Sequence, residues 1–321
     1  MSACPKTNCL YPAVTCSLGH SGGESCPEWK KIASPSEAEV LEGSELTFPW
    51  SGGALVLPDL GFLASRMKPL VIGVVGAESS GKSTLLAAWY VLLGQGAVKD
   101  QDRQFAGSFS LEGWEALANT LRWRPGQGPT FPPHTSSRSG RAPGLLHLGF
   151  RQREGRVVDH LFTDTPGEWF RNWTIDRDSV NAEGARWIAE HADAFLLMAD
   201  REALSGPSRG TARGEFQLLA HRLGAERRGR PVALVWTKAD LEVQPAMENA
   251  VRDAVKKADL DATEFAVGIL AKEPGTDVTG SFLKLLAWTL DVRRDRRSLK
   301  AFETKVADPL FAFRGSNGQD K

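Results

Sequence analysis

The residues best suited to chemistry in this chain lie in the stretch Gly76-Ala77-Glu78-Ser79-Ser80-Gly81-Lys82-Ser83-Thr84. The spacing is G-x-x-x-x-G-K-[ST], and each residue type answers a need of phosphate binding. Gly76 and Gly81 let the backbone turn so that the amides between them, those of Glu78, Ser79 and Ser80 included, face phosphate oxygens. A helix starting at Lys82 adds the partial positive charge of its N-terminus. Lys82 reaches the terminal phosphates, the Ser83 hydroxyl ligates Mg²⁺, and Thr84 adds a hydroxyl near the α-phosphate.

Two further groups fall in order behind this loop. Asp164-x-x-Gly167 follows the apolar run that ends at Thr163. Asp164 would hold Mg²⁺, directly or through water. The Gly167 amide would bond a γ-phosphate, and its loop would move once that phosphate leaves. Alone, D-x-x-G marks an ordinary turn; its order after a phosphate loop gives it meaning. Thr237-Lys238-Ala239-Asp240 fits [NT]-K-x-D. Asp240 would accept from guanine N1–H and the exocyclic amine. Adenine offers no such pair, so it would leave a buried carboxylate unpaired. The Lys238 stem would lie over base and ribose. Leu270-Ala271-Lys272 sits where an S-A-K element would close over the base, the Ala271 amide meeting guanine O6, with leucine in place of the usual serine.

The elements that must position these groups can be read from the pattern. "LVIGVV" (70–75) is a fully buried strand, followed by a helix with Leu85, Leu86, Trp89, Leu92 and Leu93 on one stripe. Residues 94–143 read as irregular, interrupted by a short helix near 111–121. "LLHLGF" and "RVVDHLFT" form a hairpin. The stretch "GEWFRNWTIDRD" reads as a mobile segment before a helix near 180–191. Strands are expected at 194–200, 231–237 and 264–269, and helices near 211–226, 245–258 and from 279. This order predicts an α/β fold: a mostly parallel sheet with one antiparallel edge strand, helices on both faces, and the motifs at the C-terminal strand ends where ligands sit.

The domain reading is a Cys-rich module at 1–40, a connector at 41–68, a main domain at 69–300 with a long insertion at 94–143, and a tail at 301–321. Lysine plus arginine and aspartate plus glutamate stand at 39 each. Zero net charge argues against a protein whose main task is gripping nucleic acid. No apolar run approaches the roughly 20 residues that span a bilayer, and the N-terminus lacks the apolar core of a signal peptide. These features predict a soluble, cytoplasmic protein with no membrane partner. The four cysteines, Cys4, Cys9, Cys16 and Cys26, all lie in the first module. They would hold one Zn²⁺, with His20 as an alternative ligand; reduced thiols and a disulfide are the other readings.

Together the four elements resemble the Ras-like P-loop GTPases over residues 69–293. Within that superfamily "FAGSFSLEGW", "PPHTSS" and "DTPGEWF" look similar to the bacterial double-GTPase family of conflict and defence systems. The resemblance implies GTP and GDP as ligands, Mg²⁺, a switch whose loops a protein partner reads, and a second GTPase or effector as that partner. Two departures matter. Glu168 stands where many relatives carry a water-orienting glutamine; it could still accept a hydrogen bond from water, but its charge would face the γ-phosphate, so hydrolysis would be slow unaided or would use another group. The insertion covers the segment that should supply a threonine to Mg²⁺ and the γ-phosphate; Thr130 and Thr135 are the candidates, Thr135 preferred. Arg138 and Arg141 read as solvated loop arginines, with a transition-state role as the alternative, and His134 as a loop histidine. Trp169, Phe170 and Trp173 read either as core or as a nucleotide-dependent apolar patch. The rival functions are a GTP-gated scaffold with negligible hydrolysis, an ATPase of the same fold, and a zinc-dependent nucleic-acid adaptor.

Overall fold

In the computed structural model the described residues are 53–65, 67–98, 103–122, 124–126, 130–132, 143–270 and 277–294. The Cys-rich module, with its four cysteines and His20, lies outside them.

Seven strands form one sheet: β1 (Leu70–Val75), β2 (Arg103–Gly107), β3 (Gly144–Gln152), β4 (Val157–Asp164), β5 (Ala194–Asp200), β6 (Val232–Thr237) and β7 (Ala262–Ala266). Their order is β2-β3-β4-β1-β5-β6-β7. Strands β4, β1, β5, β6 and β7 run parallel, whereas β3 is antiparallel to β4 and to β2. The parallel centre needs cover on both faces, and β1 is buried at all six positions. Val71 and Val75 face helices Gly167–Ile175, Glu183–His191, Arg209–Glu226 and Pro245–Lys257. Ile72 and Val74 face helices Lys82–Gly94, Leu111–Ala118 and Thr279–Leu290. Trp89 is fully buried on that second face, with its indole N–H donated to the Phe282 carbonyl at 3.0 Å. Truncation of such a side chain to alanine costs about 3–5 kcal/mol.

Three expectations are corrected. The hairpin does not supply the edge; β2 does, from inside the stretch read as irregular. Its residues are mostly exposed and its partner β3 lies far along the chain, so no local apolar period marks it. The stretch after Gly167 is a helix rather than a mobile segment, and its Trp169, Phe170 and Trp173 are buried in this conformation. Strand β7 begins and ends earlier than the apolar run suggests.

A polar device ties the insertion to the sheet. His147 on β3 is buried and meets Asp159 of β4 at 3.0 Å through Nε2. Its Nδ1 accepts the Phe109 amide at 3.0 Å, so Nε2 carries the proton and donates to the carboxylate. The Trp114 indole donates to the His147 carbonyl at 2.8 Å, which anchors helix Leu111–Ala118 to the same residue. At the far end of the sheet, Arg294 grips Asp193 with two hydrogen bonds of 2.5 and 2.6 Å, and Asp193 also accepts the Val71 amide at 2.8 Å. This bidentate pair joins the segment after the last helix to the start of β1.

Candidate functional site

The loop from Gly76 to Ser83 leaves the buried strand β1 and enters helix Lys82–Gly94 through Gly81, whose φ of 84° is left-handed. Glycine takes that conformation without the steric cost of a Cβ. The helix has no side-chain cap at its start. No capping side chain therefore competes with an anion at the helix N-terminus. Ser79 also has positive φ, at 59°.

Lys82 is buried, and its Nζ donates to the carbonyls of Ala77 at 2.7 Å and Gly76 at 3.2 Å. Burial pulls its pKa down to about 8, against the opposing fields of Asp164, Glu78, Asp200 and Glu168. Beside it, the Ser83 hydroxyl donates to Asp164 Oδ1 at 2.7 Å, although 81 residues separate them. The two Mg²⁺ candidates are thus brought together. A hydroxyl beside a carboxylate is an all-oxygen pair of the kind Mg²⁺ takes when phosphate and water complete its shell. Among the described residues no group of three or more His, Cys, Asp or Glu side chains could hold a metal.

Gly167 opens its helix directly against the phosphate loop. A Cβ there would lie 2.2 Å from the Glu78 nitrogen and 2.4 Å from the Ala77 carbonyl carbon. Glu168 is exposed and lines a cavity together with the phosphate loop.

On the other side, Lys238 adopts φ 52° and sends Nζ to the Ser79 carbonyl at 3.0 Å, Asp200 Oδ2 at 2.8 Å and Glu202 Oε2 at 2.7 Å. Burial lowers the Lys238 pKa, but the hydrogen bonds and charges of Asp200 and Glu202 outweigh it and the net shift is upward. Thr237 is buried with its hydroxyl 3.4 Å from the Ala199 carbonyl. Asp240 stands on the wall of one cavity of about 650 Å³ that also takes in Glu78 to Leu85, Gly167 and Glu168. Phosphate-type and base-type groups therefore share one space, large enough for a drug-sized ligand.

The sequence of this domain matches one known family. The Double-GTPase 2 family covers residues 70–289. The chain belongs to that family. The matched span runs from the first strand to the last helix and contains every motif described above. A GTPase family domain is expected to bind guanine nucleotide, with Mg²⁺ as its usual companion. No curated protein matches the chain. Among the described residues no helix is long and apolar enough to cross a membrane.

For this double-GTPase domain some expected groups fall outside the described residues: Thr135, His134, Arg138 and Arg141 in the insertion, and Ala271 and Lys272 after β7. Thr130 is described, and its hydroxyl donates to the Thr120 carbonyl. It is not on the cavity wall, whereas its neighbours Phe131 and Pro132 are. Phe131 was missed by the sequence reading because an isolated aromatic in an aperiodic loop carries no signal. Asp200 was missed although a carboxylate ending a buried strand, at the ligand end of the sheet, is a readable sign. The cluster Ser108, Ser110, His147 and Asp159 has the residue types of a hydrolytic triad but not its geometry. Both serine hydroxyls bond the His147 backbone, and the ring nitrogen a serine would need is taken by the Phe109 amide.

Proposed function

We propose that this domain binds GTP·Mg²⁺ and hydrolyses it, acting as a switch whose state a protein partner reads. One observation carries the reading. The Ser83–Asp164 pair adjoins the Lys82 end of the cavity, and Asp240 stands on the wall of that same cavity. A triphosphate and a guanine would be held at once.

In this reading the amides of Glu78 to Gly81 and of the helix start bind the phosphates, and Lys82 keeps its proton to neutralise charge on the transferred group. Ser83 and Asp164, with Thr135, would hold Mg²⁺, which supplies charge neutralisation on the phosphate oxygens when bound. Gly167 would offer its amide to the γ-phosphate, and Glu168 would accept a hydrogen bond from the attacking water. Asp240 selects guanine, while Thr237, Lys238, Ala271 and Lys272 frame the base. The ordered helix after Gly167 would shift with the γ-phosphate and carry the signal. A second GTPase or effector is the partner implied by the family resemblance.

A GTP-gated scaffold with negligible turnover is the second reading, favoured by one specific observation. Glu168 is exposed in the cavity, where its carboxylate would oppose a γ-phosphate.

Titration with a fluorescent GTP analogue, competed by ATP, tests the base reading. GTP should win by at least tenfold, and Asp240→Asn should erase the preference; equal competition by ATP overturns it. Single-turnover phosphate release separates the two readings. Release above buffer supports the hydrolase, whereas intact GTP binding without release supports the scaffold.

A further inference from the structure

Thr165 lies between Asp164 and Pro166-Gly167, on the wall of the nucleotide cavity, and is fully buried. Its Oγ1 has no hydrogen-bond partner. The contrast with its peers is what makes this informative. Six buried Ser or Thr residues occur among the described residues: Ser80, Ser110, Thr163, Thr165, Thr237 and Thr289. Ser80 donates to the Ala77 carbonyl, Thr237 to that of Ala199 and Thr289 to that of Leu285. Ser110 accepts the His147 amide and Thr163 the Val74 amide. Thr165 is the exception, and it is also the one that stands beside both the metal pair and the γ-phosphate glycine.

A buried hydroxyl without a partner destabilises the folded protein. Such a group in a native site calls for an explanation, and ligand binding is one. Local chemistry offers Thr165 little help. The next residue is Pro166, which has no N–H to give, and a residue before proline is held in an extended conformation. The Ser83–Asp164 bond and the contact of Gly167 with Glu78 pin the chain on either side.

We propose that Thr165 is a positioning residue whose hydroxyl is satisfied only when nucleotide binds, by an oxygen that arrives with it. That oxygen is either a water of the Mg²⁺ shell or an oxygen of the terminal phosphate. This rests on the nucleotide-binding reading above. Thr165 thereby couples occupancy of the cavity to the order of the Gly167 helix, because the hydroxyl lies on the chain that links them.

The test is Thr165→Val, which removes the hydroxyl at nearly constant shape, beside Thr165→Ser, which keeps it. The melting temperature of the unliganded Val variant should equal or exceed that of the wild type. Its affinity for nucleotide should nevertheless fall roughly tenfold, the loss of one good hydrogen bond. The Ser variant should stay within about threefold of the wild type. Titrations with Mg²⁺·GTP, Mg²⁺·GDP and GTP in EDTA identify the source. Loss with both Mg²⁺ complexes, but not in EDTA, assigns a metal-bound water; loss with GTP alone, with or without Mg²⁺, assigns the terminal phosphate. Equal affinities of the Val variant and the wild type in all three titrations overturn the proposal. So does a Val variant that melts well below the wild type, since the hydroxyl would then be structural. A wild type that binds no purine triphosphate refutes the functional reading itself, a result these variants do not produce.

Discussion

Replacement of Gly167 by alanine would test how tightly the helix after the D-x-x-G motif is coupled to the phosphate loop. The added Cβ would stand 2.2 Å from the Glu78 nitrogen, 2.4 Å from the Ala77 carbonyl carbon and 2.5 Å from the Glu78 Cα. Cβ atoms essentially never approach within 3.0 Å, and ordinary contact begins near 3.4 Å, so the two segments must part by about 1 Å. All three atoms are backbone, so no rotamer relieves the clash. Nor can the loop retreat easily, because Lys82 and Lys238 bond three of its carbonyls. The helix must move instead, and with it the buried Trp169, Phe170 and Trp173. Overpacking of this kind costs about 1–3 kcal/mol. In a domain of this size each kcal/mol shifts Tm by about 2–4 °C, so a loss of about 4–8 °C is expected for the middle of that range. Gly214→Ala is the control. Gly214 lies inside helix Arg209–Glu226 with nothing near its Cβ position, so alanine there should stabilise by about 0.5–1 kcal/mol. Gly167→Ala should also bind GTP more weakly while affecting GDP less, because the displaced amide is the one assigned to the γ-phosphate. Differential scanning fluorimetry and nucleotide titration read both effects. A variant that melts with the wild type and keeps its GTP-over-GDP preference refutes the coupling.

Three other outcomes follow from buried charge. Lys82→Ala should abolish nucleotide binding while the protein still melts cooperatively; micromolar GTP affinity in that variant contradicts the role of the ammonium. Because burial holds the Lys82 pKa near 8 and phosphate binding needs the protonated form, binding takes up a proton, and affinity should fall about tenfold for each pH unit above 8. A flat titration between pH 7 and 9 would rule this out. His160 is fully buried, and burial lowers its pKa from 6.5 to about 4, with Arg293 and Arg103 acting in the same sense and the Val158 backbone and the Asp159 charge opposing. Below pH 6.5 the unfolded chain takes a proton that the folded chain refuses. Stability should therefore drop by about 3 kcal/mol as pH falls from 6.5 to 4, then lose nothing more from this group. Urea denaturation of His160→Leu should show a shallower loss across that window, and an unchanged slope would exclude His160 as the source.

What the sequence disclosed follows from how each element is buried. Strands β1, β5 and β6 are covered on both faces, so their residues are apolar without interruption and stand out in any window. The motifs were legible because phosphate and guanine restrict residue type and spacing together. The helix after Gly167 was misread for a local reason: Glu168, Arg171 and Asn172 make its solvent face polar. Its stripe of Trp169, Phe170 and Trp173 was nevertheless at helical spacing. Strand β2 was invisible for a non-local reason. An exposed edge strand is specified by its partner, and that partner follows a long insertion. The orphaned hydroxyl of Thr165 was equally hidden, since being unpartnered is a property of the packed site.

The base end and the phosphate end of the cavity are not independent modules. Lys238 belongs to the base motif, yet one of its three hydrogen bonds goes to the Ser79 carbonyl in the phosphate loop. The other two go to Asp200 at the end of β5 and to Glu202 just beyond. The Ala239 amide donates to the Val267 carbonyl at 3.1 Å, so the loop after β7 is held to the same point. An ammonium with three acceptors on two segments fixes its own stem, and with it the surface on which a base would lie. Loss of Lys238 would leave Asp200, 9% exposed at its side chain, with an unmatched charge, and would release Ser79 from its bond. The damage should therefore reach the phosphates. Lys238→Met keeps most of the apolar stem and deletes the charge. It should weaken inorganic triphosphate as well as GTP, since the loop that binds both is no longer held. Isothermal titration with the two ligands decides the matter: a variant that loses GTP affinity alone would show that the lysine serves the base and nothing else.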